Sequence, residues 1–255
     1  GPPTSMRDAY GQALVALGAQ REDIVVLSAD VQNSDRSGMF EAAYPERFVN
    51  VGIAEQALVD VAVGFAKAGK VPVANTFAFL FASRALEQVR THLAYGRANV
   101  KLAGAYAGLS DSFDGPTHHA ITDLAILRAL PNLVVLAPSD AAEARAATQA
   151  MIVHNGPVYY RCGYKKEPPI HAGPIDFTIG KALVVRQGTD ATVIYTGTVG
   201  AQARAAVDDL ARSGIRCRLF EKDTLQEKDE VLVIDINKLE EQGKVKTVSV
   251  DSFEQ

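Results

Sequence analysis

Short apolar runs alternate with helix-period segments along the chain, and that alternation limits the fold more than any single motif does. The runs "DIVVLSAD" (23–30), "RFVNVG" (47–52), "KVPVANTF" (70–77), "NVKLAGAY" (99–106), "NLVVLAPSD" (132–140) and "GPVYYRCG" (156–163) read as strands. Between them, in 54–68, Ala57, Leu58, Val61, Ala62 and Phe65 fall on one helical face, and Gly69 ends the segment. Segments 83–95, 119–130 and 141–154 also read as helices, the last with Ser139 or Asp140 as its N-cap. Strands that alternate with helices predict an α/β fold, a parallel sheet covered by helices.

Residues 163–178, "GYKKEPPIHAGPIDFT", are rich in Pro and Gly, lack an apolar period and read as an interdomain linker. A second α/β unit then begins. "DATVIYTGT" and "IRCRLF" read as strands around a helix at 200–214, and the segment after Phe220 predicts about two further strands. The expected division is 5–162, a linker at 163–178, and a smaller unit at 179–255.

Composition excludes several classes. With 26 basic and 30 acidic residues and no basic block, nothing favours nucleic acid or a membrane surface. No apolar run approaches the roughly 18–20 residues that span a bilayer. Gly1-Pro2-Pro3 reads as a tag-cleavage scar, without signal-peptide character. Cys162 and Cys217 fit neither a zinc nor a redox spacing, so both are expected to be reduced thiols in a cytoplasmic protein.

In parallel sheets the loops after the strands carry the sites. Four such loops are unusual: "ADVQNSDRSG", "VGIAEQ", "NTFAFLFASR" and "AYAGLSDSFDGPTHH". The last gathers Asp111, Asp114, Gly115, Pro116, His118 and His119. Each candidate has an ordinary reading as well. Glu55 can complement a helix dipole, His118 and His119 can cap a helix, and Phe77, Phe79 and Phe81 alternate like a packed strand edge. Adjacent histidines without acidic partners at ligand spacing predict no metal site.

Together "VNVGIAEQ", "NTF", "ALEQVRTHLAY", "NVKLAG", "DGPTHH", "ITDLAILRALPNLVVLAPSD" and "GPVYYR" resemble transketolase, over roughly residues 5–220 in order. The likeness is to the carboxyl-terminal subunit of a transketolase split into two chains. Deoxyxylulose-phosphate synthases and pyruvate dehydrogenase beta subunits share the glutamate motif but fit "DGPTH" less well. The resemblance implies a three-layer pyrimidine-binding thiamine diphosphate fold, followed by a smaller, shortened α/β carboxyl-terminal domain. It also implies ketol transfer between sugar phosphates. The cofactor, thiamine diphosphate, would be shared with a partner subunit that holds its diphosphate and a Mg2+ or Ca2+ ion.

Residue by residue, Glu55 matches the glutamate that hydrogen-bonds the pyrimidine N1′ and tunes the cofactor's proton balance. Phe77 matches the first aromatic against that ring. Leu80 stands where many relatives carry the next phenylalanine, flanked by Phe79 and Phe81, so any of these three rings is a stacking candidate. Asp114 and His118 match sugar-hydroxyl contacts, with His118 a catalytic candidate alongside Glu55. Arg161, Arg7 and Ser34 match positions that hold the substrate phosphate, for which arginine is suited. Tyr106 replaces a histidine common eight residues before Asp114, so the donor pocket should differ.

The diphosphate signature, Gly-Asp-Gly with a downstream asparagine, is absent, and "FDGPT" belongs to the sugar-contact loop. The resemblance therefore implies an N-terminal partner subunit and a heterotetramer of two heterodimers. Only 35 residues follow Phe220, and they do not align with the family's last domain. The alternatives are the beta subunit of a 2-oxo-acid dehydrogenase and a non-catalytic pairing subunit. Arg7, Arg161 and "DGPTHH" argue against the first, and the retained Glu55, Asp114 and His118 against the second.

Overall fold

A computed structural model describes residues 2–171, 173 and 175–225. Its strands are β1 (Thr4–Ser5), β2 (Ile24–Ser28), β3 (Phe48–Asn50), β4 (Val71–Phe77), β5 (Lys101–Ala105), β6 (Val134–Leu136), β7 (Val158–Arg161), β8 (Lys166–Glu167), β9 (Leu183–Arg186), β10 (Ala191–Tyr195), β11 (Cys217–Glu221) and β12 (Thr224–Leu225). The main sheet runs in the order β12-β6-β7-β5-β4-β2-β3. Six of its strands are parallel, and only β12 is antiparallel, pairing with β6.

Side-chain alternation along the strands makes the three layers. Val25, Leu27, Leu102 and Tyr159 point to one face, where Leu58, Ala62, Phe81 and Leu93 cover them. Ile24, Val26, Val158 and Tyr160 point to the other, beneath Met6, Tyr10, Leu14 and Met151. Because both faces are covered, β2 and β5 are buried at every position, as expected of a parallel sheet. Gly104 in β5 has a packing reason: a Cβ there would lie 2.7 Å from the Tyr159 ring and 2.9 Å from the Ala78 Cα.

The structure departs from the sequence reading in several places. A helix at Met6–Gly18, not expected from the strand-helix alternation, covers the second face. The Glu55–Lys67 helix buries Leu58, Val59, Ala62 and Val63, whereas Ala57 and Val61 are exposed, so its core face is rotated from the one expected. Phe77 ends β4, but Ala78–Ala82 is a helical turn, so the three phenylalanines do not share a strand edge. The helix expected over 119–130 is confined to Asp123–Arg128.

Segment 163–178 is not a free linker. Its β8 pairs antiparallel with β1, Ile170 enters the core of the second sheet, and Phe177 packs on the main one. The second sheet has the order β10-β11-β9, with Val207 of the Gly200–Arg212 helix packed on it. The chain then returns to the main sheet through β12. The further strands expected after residue 225 lie outside the described residues. Cys162 and Cys217 are both buried free thiols. No described helix is long and apolar enough to cross a membrane.

Asp140 fastens segment 163–178, which straps the two sheets together. It N-caps the Ala141–Val153 helix through Glu143 N (2.9 Å), and its other oxygen accepts from Ile170 N (2.8 Å) and His171 N (2.9 Å). Burial would raise its carboxyl, but the His171 imidazole and then the Glu143, His171 and Ile170 amides hold it down at about 2. Asp140→Ala removes the cap and strands the buried Ile170 amide and the part-buried His171 amide, so the expected loss is roughly 2–5 kcal/mol. A thermal or urea melt measures it, and a change below about 1 kcal/mol would contradict this account.

Candidate active site

Five parallel strands end on the same edge of the sheet, and each delivers a candidate. The turn after β3 is braced by Asn50, whose Oδ1 accepts from Gly52 N (2.9 Å) and whose Nδ2 donates to Asp30 Oδ1 (2.9 Å). Gly52 takes the left-handed conformation that such a turn needs. The turn aims the first helical residue, Glu55, inward at 2 % exposure. Arg84 Nη1 donates to both carboxylate oxygens (3.0 and 2.9 Å), while the Arg84 side chain stays half exposed. This pairing was not expected from the sequence, where the two residues lie 29 positions apart.

Phe77, at the end of β4, centres an aromatic row. Its ring lies 4.7 Å from Tyr106 and 4.9 Å from His118, the latter edge-on. Tyr106 in turn meets Tyr164 at 4.7 Å. Tyr106 follows β5 with φ 64°, a conformation a bulky side chain rarely adopts and one that clusters at functional sites. The loop beyond it is laced down: Ala107 N donates to Cys162 O, Ala120 N to Gly108 O, and Tyr164 N to Ser110 Oγ. In that loop Asp114 is exposed and His118 half-buried, with His118 Nδ1 3.1 Å from Thr117 Oγ1. Asp111 is buried, and that burial, then its neighbour Asp114, raises its carboxyl above the ordinary range.

The remaining two stacking candidates separate from this row. Phe81 is fully enclosed, edge-on to Tyr159 in the core, so its ring is not available to a ligand, and it is corrected to a packing residue. Phe79 is partly buried against the same core. The Asn75 of "NTF" is likewise internal, with Nδ2 donating to Leu27 O and Val73 O.

Arg7 and Ser34 come together, Arg7 Nη1 donating to the Ser34 carbonyl. The Arg7 guanidinium lies 4.3 Å from the centre of the Tyr164 ring and 5.3 Å from that of Tyr106. Arg7 is only 8 % exposed, and its Nε is buried with no acceptor. Arg161 is far more committed. Its Nε donates to Asp123 Oδ2 (2.7 Å), and its Nη2 to Ala120 O (3.1 Å) and Asp123 Oδ1. Asp123 also accepts from the Tyr159 hydroxyl (2.8 Å) and is itself buried. Sequence reading missed Asp123. The "ITD" that opens its helix was the available signal.

Behind Arg7 lies Asp35, whose Oδ1 accepts from Ser37 N (2.7 Å) and whose Oδ2 is buried without a donor. Burial pushes its carboxyl from 3.8 up to about 6, with Ser37 and Arg7 opposing the rise. The folded chain thus keeps a proton that the unfolded chain releases near pH 4, so stability falls as pH rises from about 4 through 6. The whole effect is on the order of 3 kcal/mol. Comparing thermal midpoints of wild type and Asp35→Asn across that range isolates it. Parallel pH curves would contradict the assignment.

An enclosed acid at a helix start, a row of rings and two arginines thus share one edge of a helix-covered parallel sheet. The chain belongs to the transketolase family: the family model described as transketolase, pyrimidine binding domain, matches residues 3–164. Within that family it is 36% identical over 230 residues to a putative transketolase C-terminal section of Methanocaldococcus jannaschii, covering 89% of this chain and 73% of that protein. A solved split-gene transketolase, an inactive beta4 tetramer, matches with TM-score 0.80 and 40% identity, covering 88% of this chain and 72% of that one. Human transketolase is 34% identical over 257 residues, and this chain covers 41% of its length.

Proposed function

We propose that this chain is the pyrimidine-binding and substrate-binding subunit of a thiamine diphosphate-dependent transketolase whose diphosphate-binding half is a separate N-terminal subunit. The observation that carries the reading is the enclosed Glu55 carboxylate, held by Arg84 on the same sheet edge as Phe77, Tyr106, His118 and Arg7. These residues fit the cofactor's pyrimidine: a buried carboxylate for a ring nitrogen and a half-buried aromatic face at Phe77. When bound, the cofactor supplies the electron sink for breaking the C–C bond beside a ketose carbonyl. Glu55 would hold the proton at N1′, Phe77 would orient the ring, and His118 and Asp114 would address the sugar hydroxyls.

The Arg7 guanidinium, set against the Tyr164 and Tyr106 rings, suits an anionic substrate end, with Ser34 and Arg161 as further candidates for holding it. Relatives support such a donor. One, from a Clostridium species, is a 6-deoxy-6-sulfo-D-fructose transketolase subunit, and another, from Phocaeicola vulgatus, is one of the subunits of an apulose-4-phosphate transketolase, each 34% identical to this chain. Both names specify a sugar with an anionic group. Tyr106, in place of a histidine, shapes that pocket.

The partner would hold the diphosphate and its Mg2+ or Ca2+. An apolar stripe beside Glu55, with Ile53 74 % exposed and Ala57 and Val61 also exposed, supports a second chain docking there. We place the ring and substrate site in 5–162, the strap at 163–178 and a smaller unit from 179 on. The assembly would be a cytoplasmic heterotetramer of two heterodimers. Equilibrium dialysis with thiamine diphosphate and Mg2+ tests the division of labour. The mixture of both subunits is expected to bind one cofactor per heterodimer and this chain alone to bind negligibly. Tight binding by this chain alone would overturn it.

A further inference from the structure

We propose that Glu143, Glu221 and Asp223 form a buried site for one hard divalent cation, which joins the second sheet to the first. Glu143 lies on the Ala141–Val153 helix of the main sheet, Glu221 ends β11 of the second sheet, and Asp223 precedes β12. All three are buried, and one oxygen from each lies within 4.8 Å of the others. Glu143 Oε2 is occupied, accepting from Ser139 N (2.7 Å) and Ser139 Oγ (3.0 Å). Of the other five oxygens, Glu221 Oε2 meets His171 Nε2, whereas Glu143 Oε1, Glu221 Oε1 and both of Asp223 are buried and meet no hydrogen-bond donor in good geometry. Native proteins rarely leave buried acceptors in that condition, and each such group calls for an explanation.

A second observation comes from a neutral side chain. Tyr195, 6 % exposed, turns its hydroxyl toward Glu221, with Glu143 and Asp223 nearby, and that buried hydroxyl meets no partner outside these acids among the described residues. Its oxygen adds a fourth donor atom to the three carboxylates. His171 borders the group, its Nδ1 3.2 Å from Asp140 Oδ2 and its Nε2 3.0 Å from Glu221 Oε2. That contact engages one Glu221 oxygen, and Oε1 stays without a donor.

The donor set decides the chemistry. It is all oxygen and mostly carboxylate, without thiolate, and the bordering imidazole is already taken by Asp140 and Glu221. Such sites select Mg2+, Ca2+ or Mn2+ over softer metals. Carboxylates packed this closely repel one another strongly in a dry interior, and a divalent ion turns that repulsion into a cross-link. Because the ligands come from both sheets, binding would favour the docked arrangement over any with the sheets apart.

The test uses the full chain without its partner, stripped with EDTA. Titration with Mn2+, followed by electron paramagnetic resonance, is expected to give one bound ion per chain, displaced by Ca2+ or Mg2+. The thermal midpoint should rise by roughly 5–10 °C at a hundredfold excess over Kd. Glu143→Gln and Asp223→Asn should each weaken Mn2+ binding at least tenfold and abolish the thermal gain. Should those variants fail to fold, Tyr195→Phe keeps every carboxylate and should still weaken binding. No bound Mn2+ at millimolar concentration would overturn the site. So would Mn2+ binding that these variants leave unchanged. A higher midpoint for Glu143→Gln than for wild type in EDTA, with no cation effect in either, would overturn it in favour of a proton shared between Glu143 and Asp223.

Discussion

Glu55→Gln is expected to lower kcat of the reconstituted two-subunit enzyme by about 10²–10⁴-fold, the range lost when a positioned proton-transfer group is removed. Glutamine keeps the size and one carbonyl oxygen of the glutamate but cannot hold a proton for a ring nitrogen at neutral pH. The side chain is enclosed, so bulk water does not readily substitute for it. Assembly should survive, because the Arg84 side chain left behind is 52% exposed and can return to solvent. Steady-state ketol transfer measures the loss, and sedimentation of the same preparation checks assembly. Near-normal turnover would remove Glu55 from the mechanism.

The second large effect is on substrate affinity. Arg7→Ala should raise KM for a phosphorylated donor by roughly 10–100-fold, the value of a hydrogen bond to a charged group. The corresponding unphosphorylated sugar should be nearly unaffected. Arg161→Ala should show a smaller selectivity for phosphate, because Asp123 and the Ala120 carbonyl already occupy its Nε and Nη2. It should cost stability instead, since Asp123 would be left buried with only the Tyr159 hydroxyl. An equal rise in KM for charged and uncharged donors with Arg7→Ala would contradict the anion role.

Local pattern carried much of the architecture. The six parallel strands follow from apolar runs that end in polar tips, and the loops that bear candidates are those after strands. The cap was legible as Ser139 or Asp140 because capping is a short-range bond, and Asp140 fills it through Glu143 N. What escaped depends on distant partners. Arg84 reaches Glu55 across 29 positions and Asp123 reaches Arg161 across 38, and no periodicity encodes either pair. The Glu55–Lys67 helix is apolar on more than one side, so pattern alone could not separate the core face of Leu58 and Val63 from the exposed stripe of Ala57 and Val61. Phe81 was misplaced for a related reason: alternation at 77, 79 and 81 mimics a strand, but β4 ends at Phe77 and the next turn drives Phe81 into the core. The return of the chain through β12 was equally invisible, being a two-residue pairing fixed only by where the second sheet docks.

If this chain is one half of a transketolase site, it needs its other half to turn over. The most direct measurement is ketol transfer from a panel of ketose phosphates, with thiamine diphosphate and Mg2+, by this chain alone and mixed with a diphosphate-binding subunit. The account predicts negligible turnover alone and cofactor-dependent turnover in the mixture. Full turnover by this chain without a partner, or none with any donor in an assembled and cofactor-loaded complex, would contradict it.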